Sequence, residues 1–315
     1  MNKPRIYIDG ESGTTGLEIR KRLESRLDIE LMSIAPEKRK DSGERKRFLN
    51  GCDLAILCLP DDAAIEAVSF VDNPSVRIID ASTAHRTAPG WVYGFPELLP
   101  EQTDKIRQAK RVSNPGCYPT GAIAMIRPLV DAGILPPSHG VTITAFSGYS
   151  GGGKETIALC ESGAQNERAS AFCLYGIDQN HKHLPEMRVH GGLSVEPIFL
   201  PSYGSSLYRG MLVTMALRLG DLNRVTGKLA DAEMVHVVLN ERYKGQKYVS
   251  VEPLQRKLEK AFVLTPTSQN ETNNLQLRVF ANDAKEIVIL TACLDNLGKG
   301  ASGAAVQNAE IMLGL

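Results

Sequence analysis

Arg5-Ile6-Tyr7-Ile8-Asp9-Gly10-Glu11-Ser12-Gly13-Thr14-Thr15-Gly16 runs from a strand-length apolar segment into a glycine-rich turn, and a helical pattern follows at once. Residues 14–26 read as that helix, with Ile19, Leu23 and Leu27 at helical spacing. Outward from there, strand-like runs recur at residues 29–34, 54–57 and 76–79, with a helical stretch at 63–71 between the last two. Strands alternating with helices predict βαβ units and a parallel sheet. The character changes after Asn114-Pro115-Gly116. Residues 117–130 read as one apolar helix, and the runs at 141–144, 212–217 and 287–291 alternate with a period of two, as in a mixed or antiparallel sheet covered by helices on one face. Residues 303–313 read as a final helix. The expected fold class is α/β: a Rossmann-type nucleotide-binding domain over residues 1–115 and an α+β domain with a mixed sheet over 116–296.

A chain of 315 residues fits two such domains. Lysine plus arginine (36) balance aspartate plus glutamate (36), so no basic excess exists to neutralise a nucleic-acid backbone. The opening from Met1 lacks the long apolar stretch of a secretory signal, and no run reaches the length of a membrane span. The six cysteines (52, 58, 117, 160, 173 and 293) form no CxxC pair, which points to a reducing compartment and away from a disulfide framework or structural zinc. The expectation is a cytoplasmic protein with neither nucleic-acid nor membrane partner.

The turn Gly10, Ser12, Gly13, Thr14, Thr15 and Gly16 suits a pyrophosphate, because a helix N-terminus offers unpaired N–H groups and a positive dipole end. The spacing is GxxGxxG, looser than GxGxxG, and an empty βα turn is the plain alternative. At the end of the second strand, where NAD sites carry an acidic residue, stand Ser33 and then Lys38 and Arg39. A hydroxyl and two cations favour the 2′-phosphate of NADP(H), although Glu37 is nearby and residues 38–40 also read as a solvated charge run.

Cys117 follows a turn and opens an apolar helix, where the helix dipole favours a thiolate capable of covalent catalysis. The other five cysteines read as core residues. His181-Lys182-His183-Leu184-Pro185-Glu186 sets two imidazoles near a carboxylate, a source of acid/base chemistry; solvent-facing histidines or a metal site remain alternatives, without a strong ligand set for the latter. The second glycine-rich turn, Ser147-Gly148-Tyr149-Ser150-Gly151-Gly152-Gly153-Lys154, reads either as an anion nest or as a surface loop. Arg86, beyond the fourth strand, is a candidate carboxylate or phosphate clamp.

Together these segments resemble the short form of the N-acetyl-γ-glutamyl-phosphate reductases, within the aspartate-semialdehyde-dehydrogenase-like group. The matching motifs run from Gly10–Gly16 through Asn114-Pro115-Gly116-Cys117-Tyr118-Pro119-Thr120, the 147–154 loop and 181–186 to Asp295-Asn296-Leu297-Gly298-Lys299-Gly300-Ala301-Ser302-Gly303. The resemblance implies reduction of N-acetyl-L-glutamyl 5-phosphate by NADPH through a thioester on Cys117. It implies His181 or His183 as acid/base, with Glu186 orienting, and Asn296 and Gly298 near the nicotinamide. Arg86, Asn114, Ser147, Gly148, Ser150 and Lys154 would face the acyl phosphate. It further implies that residues 297–315 return to the nucleotide domain, and that the second domain builds a homodimer or homotetramer. Ala81-Ser82-Thr83-Ala84-His85-Arg86 departs from the long form, which carries an acidic residue before Phe-Arg. The rival readings are an aspartate-semialdehyde dehydrogenase, a carrier-linked acyl-phosphate reductase and, in another class, a non-catalytic NADPH-binding regulator.

Overall fold

The computed structural model describes residues 3–163, 166–225 and 227–315; Met1 and Asn2, the start of the opening read above, lie outside them. The chain divides into two compact units, one running to Gly116 and completed by Ala301–Leu315, the other Cys117–Gly300. In chain order the first unit holds β1 (Arg5–Asp9), α1 (Thr14–Leu23), β2 (Glu30–Met32), α2 (Ser42–Gly51), β3 (Leu54–Leu57), α3 (Asp61–Ser69), β4 (Arg77–Asp80), β5 (Val92–Tyr93), α4 (Gln102–Gln108) and β6 (Arg111–Ser113). The second holds α5 (Cys117–Asp131), β7 (Thr142–Gly148), α6 (Gly153–Glu161), β8 (Cys173–Leu174), α7 (Leu184–Gly191), β9 (Ile198–Gly204), β10 (Met211–Arg218), β11 (Arg224–Val225), β12 (Lys228–Leu229), α8 (Ala232–Tyr243), β13 (Val249–Val251), β14 (Leu275–Asn282) and β15 (Ile287–Leu294). A π-turn, Gly298–Ser302, leads into α9 (Gly303–Leu313).

The first unit is a parallel sheet in the order β2-β1-β3-β4-β6-β5. Successive strand residues point to opposite faces, and both faces are covered. Ile6, Ile8, Leu54 and Ile56 pack with Ile19 and Leu23 of α1 and with Ala305, Ala309 and Met312 of α9. Tyr7, Ala55 and Leu57 pack on the other side with Leu49 of α2 and Ala64 and Ala67 of α3. Each such buried Ile or Leu contributes about 1.5–3 kcal/mol. Arg45 of α2 closes the end of β1, donating to Asp9 Oδ2 at 3.0 and 3.1 Å, with both groups buried.

Two boundaries differ from the sequence reading. The first helix stops at Leu23, and Leu27 is 83% exposed. The chain turns there because the Arg26 amide bonds back to Leu23 and its guanidinium grips Asp28, which takes Leu27 off the apolar stripe. Residues 297–300, grouped by the sequence reading with the closing helix, pack with the second unit.

The second unit is a seven-stranded mixed sheet in the order β13-β14-β15-β10-β7-β9-β8. Alternation decides its face: Met211, Val213, Met215 and Leu217 of β10 are buried, as are Val288, Leu290 and Ala292 of β15. Helix α5 lies on that face, Gly121 meeting Val213 and Ala292 where any Cβ would stand 2.9 Å from the valine. Tyr243 of α8 donates to the Ala124 carbonyl at 2.9 Å. Among the described residues no helix is long and apolar enough to cross a membrane.

Candidate active site

In the first unit, the β1–α1 turn borders a cavity of about 480 Å³ lined by Gly10, Glu11, Ser12, Ile34, Arg39 and Lys40, among others. Gly10 has φ +85°, and a Cβ there would stand 2.3 Å from the Cys58 carbonyl oxygen, so only glycine fits. Gly16 packs equally hard against the Gly10 carbonyl. Gly13 is different. Its backbone is extended, φ −75°, and a Cβ would meet nothing nearer than 3.4 Å. The fold does not require glycine at 13, and that position leaves a cradle at the start of α1, where no side chain caps the helix. An uncapped N-terminus beside a cavity fits a pyrophosphate.

Ser33 lies just past β2, and Arg39 lines the cavity. Here a residue the sequence reading missed comes in: Arg20 of α1 donates to Ser33 Oγ at 2.6 Å and to Glu11 Oε2 at 2.8 Å. Arg39 donates to Glu11 Oε1 at 2.8 Å. Arg20 stands one helical turn beyond Gly16 on the face of α1 that carries the Gly-rich turn, and that periodicity was the available signal. Lys40 lines the cavity, whereas Lys38 ends a short helical turn on the exposed surface.

Arg86 is buried, and its Nε donates to the Asn114 carbonyl at 3.0 Å while Nη2 donates to the Ala81 carbonyl at 3.2 Å. Asn114 is itself tied, Nδ2 donating to the Ala301 carbonyl at 3.0 Å and Oδ1 accepting from Asn308 at 3.2 Å. These contacts brace the turn that leads to Cys117.

In the second unit, Cys117 is the first residue of α5 and is partly exposed. The last glycine of the unit, Gly300, packs against it: a Cβ there would stand 2.8 Å from Cys117 Cβ. His183 sits at the N-cap of α7, its ring 5.9 Å from that of Tyr118. At the far ends of the same two helices, Arg127 donates to the His190 carbonyl at 3.3 Å. Helices α5 and α7 therefore run parallel, with Cys117 and the 181–186 segment at neighbouring N-termini, where negative charge is favoured.

Burial, with Lys182 beside it, lowers the His181 pKa to about 4, and its Nδ1 accepts the His183 amide at 3.1 Å. The imidazole is thus neutral near pH 7 and carries its proton on Nε2, an assignment made from this bond. Glu186 is buried in the first turn of α7. Tyr118, quoted above only as part of the Cys117 motif, and Tyr175, absent from the sequence reading, add a polar relay: Tyr175 donates to Tyr118 Oη at 3.0 Å and Tyr118 to the Ser202 carbonyl at 3.3 Å. Burial holds both phenols above their ordinary pKa. Of the remaining cysteines, burial pushes Cys52 up to about 12 and raises Cys58, Cys160 and Cys293.

In the second glycine-rich turn the first amides are taken up by the protein itself. The amides of Gly148, Tyr149 and Ser150 bond to the carbonyls of Gly210, Leu207 and Tyr208 at 2.8, 2.8 and 3.0 Å. Ser147 Oγ donates to the Gly148 carbonyl, and Lys154 is exposed in α6. Asn296 donates to Ser150 Oγ at 2.9 Å and accepts the Gly210 amide at 2.8 Å. Gly298 meets the Thr272 carbonyl so closely that no side chain fits. Asp295, fully buried, holds the same turn through Arg209 and the amides of Glu271 and Leu297. Among the described residues no group of three or more His, Cys, Asp or Glu is placed to hold a metal ion.

Two family models match. Residues 5–106 match the semialdehyde dehydrogenase NAD binding domain, and residues 117–296 match the semialdehyde dehydrogenase dimerisation domain. An N-acetyl-gamma-glutamyl-phosphate reductase 2 of Nostoc sp. is 52% identical, covering 100% of this chain and 98% of its own. A protein of the same name from Pseudomonas putida is 49% identical with the same coverage. Among solved structures, aspartate semialdehyde dehydrogenase II of Vibrio cholerae, complexed with ASA, superposes with a TM-score of 0.75 at 18% identity, over 99% of each chain. The enzyme of Candida albicans with NADP gives 0.65 at 14%, again over 99% of each. The chain belongs to the semialdehyde dehydrogenase family, on the branch of the N-acetyl-γ-glutamyl-phosphate reductases.

Proposed function

We propose that this chain is a cytoplasmic NADP(H)-dependent reductase of arginine biosynthesis, converting N-acetyl-L-glutamyl 5-phosphate to N-acetyl-L-glutamate 5-semialdehyde and phosphate through a thioester on Cys117. The observation that carries the reading is the pairing of Cys117 with the 181–186 segment at two parallel helix starts, in a chain about half identical throughout to reductases of that name.

The Cys117 thiolate attacks the acyl carbon, a C–S bond forms, and the acyl C–O bond breaks as phosphate departs with its electron pair. The two helix starts favour the negative charge that gathers on the acyl oxygen and on phosphate. That oxygen regains its double bond when phosphate leaves and so takes up no proton of its own, while the proton given up by the Cys117 thiol departs with the phosphate as hydrogen phosphate. A neutral His181 donating from Nε2 is then sufficient, with Glu186 orienting the segment and His183 the rival donor. Gly10, Ser12, Gly13, Thr14, Thr15 and Gly16 would hold the pyrophosphate, and Ser33, Arg39 and Lys40 the 2′-phosphate. The nicotinamide, when bound, would supply the hydride for the acyl carbon; the C–S bond then breaks, which frees the aldehyde and returns the Cys117 thiolate. Asn296 and Gly298 shape the turn behind Cys117, and Ser147, Gly148 and Ser150 support it. Arg86 and Asn114 fix the turn ahead of Cys117, which leaves Lys154 as the cation for phosphate. The mixed sheet of the second unit would join copies into a dimer or tetramer, which sedimentation of the intact protein tests.

The decisive assay is phosphate-dependent reduction of NADP⁺ by N-acetylglutamate semialdehyde. Cys117→Ala should lose at least about a thousandfold in rate while still binding NADPH. Turnover of aspartate semialdehyde in place of the acetylated aldehyde would move the chain to the sister activity, and retained activity in Cys117→Ala would remove the thioester.

The low pKa of His181 has a second consequence. The unfolded chain takes up this proton near 6.5 and the folded chain only near 4, so protonation favours unfolding, and this contribution is lost as pH falls between those values. Thermal melts of wild type and His181→Asn should diverge above pH 6.5 and converge toward pH 4. Parallel curves over that window would contradict a buried neutral imidazole.

A further inference from the structure

The nucleotide cavity contains an anion of the protein's own. Glu11 follows the first glycine of the β1–α1 turn, and its side chain is 10% exposed. It accepts from Arg20 at 2.8 Å, from Arg39 at 2.8 Å and from Ser33 Oγ at 3.2 Å. Two guanidinium groups and a hydroxyl converging on one carboxylate form the donor set that suits a phosphate ester. The carboxylate reaches it from the turn that would carry the pyrophosphate, and both Glu11 and Arg39 line the cavity.

We propose that Glu11 is an internal counter-anion of the 2′-phosphate subsite: it holds Arg20, Arg39 and Ser33 in place when the site is empty, and a 2′-phosphate binds by taking these donors from it. The inference rests on the NADP(H) reading above. Binding then exchanges one anion for another, so the measured affinity is a difference between two sets of charge-assisted bonds. A dinucleotide without the 2′-phosphate leaves Glu11 paired and draws nothing from the arginines. Glu11 thereby sets how strongly the enzyme distinguishes the two cofactors, without reserving a contact for either.

The test is calorimetric titration of the intact protein with 2′,5′-ADP, and with 5′-AMP as the probe lacking the 2′-phosphate. Glu11→Gln should raise the affinity for 2′,5′-ADP about tenfold and change that for 5′-AMP less than about twofold. Glu11→Asp keeps the charge but shortens the reach, and should also gain for 2′,5′-ADP; this separates release of the donors from a change in bulk charge. Arg39→Ala should cost more in the Glu11→Gln background than in the wild type. An unchanged or weakened 2′,5′-ADP affinity in Glu11→Gln, or an equal gain for 5′-AMP, overturns the proposal while leaving the cofactor reading intact. Failure of both wild type and Glu11→Gln to bind either 2′,5′-ADP or NADPH overturns the cofactor reading and the inference with it.

Discussion

The two glycine-rich turns, 10–16 after β1 and 147–153 after β7, look alike in sequence, and both lead from a strand into a helix. They are used in different ways. In the first, Gly10 and Gly16 are fixed by tight backbone packing, while Gly13 leaves an open cradle beside a cavity. In the second, the first three amides after Ser147 are consumed by the 207–210 segment, and Gly148 exists because the Tyr208 carbonyl lies where a side chain would go. Glycine density marks places where backbone meets something closely. Whether that something is a ligand or the protein itself depends on where the amides point.

The contrast is broken most strongly by adding a methyl group at the tight positions. Gly148→Ala and Gly10→Ala each force a Cβ onto a backbone carbonyl, at 2.4 and 2.3 Å respectively, and should cost about 2–4 kcal/mol in denaturant melts. A midpoint unchanged in Gly148→Ala would mean that the second turn rearranges freely, and the distinction between the turns would fall. Gly13→Ala sharpens the comparison from the other side. It should leave stability within about 0.5 kcal/mol of wild type but weaken NADPH binding about tenfold by filling the cradle. The smallest effect is expected between two neighbouring lysines. Lys40→Ala should weaken 2′,5′-ADP binding a few-fold, about 1 kcal/mol, whereas Lys38→Ala should be silent; a reversed order would redraw the subsite.

The parallel half was legible because period and punctuation agreed: the apolar strands near residues 6, 55 and 78 and the glycine turn all point to one topology. Helix α2 was not legible. Its sequence, Ser42-Gly43-Glu44-Arg45-Lys46-Arg47-Phe48-Leu49-Asn50-Gly51, shows no apolar stripe, since the buried residues are Arg45 and Leu49. The usable signal was the cap, Asp41 accepting from the Glu44 amide at 2.7 Å, the Asp-x-x-Glu pattern of a helix start. In the site, Cys117 and the 181–186 segment could be picked out because reactive side chains are rare enough to notice. Arg20 and Tyr175 were hidden, and Tyr118 was quoted without a role, because an arginine on a helix and a tyrosine in a core are common. Arg86 shows the same limit from the other side: an arginine at a strand end suggests a ligand, and nothing in the sequence says that Nε and Nη2 reach the carbonyls of Asn114 and Ala81. Sequence records the group and not the partner.

The return of the last fifteen residues to the first unit bears on how the protein is made. Ala305, Ala309 and Met312 complete the core on one side of a sheet, and their partners there, Ile6 and Ile8 of β1 and Ile19 of α1, leave the ribosome well before them. Throughout translation of Cys117–Gly300 that side of the sheet has no cover from α9, so a unit begun before the second one is finished after it. A growing chain stalled before residue 301 would display an apolar face of fixed position, the kind of surface on which holding chaperones act.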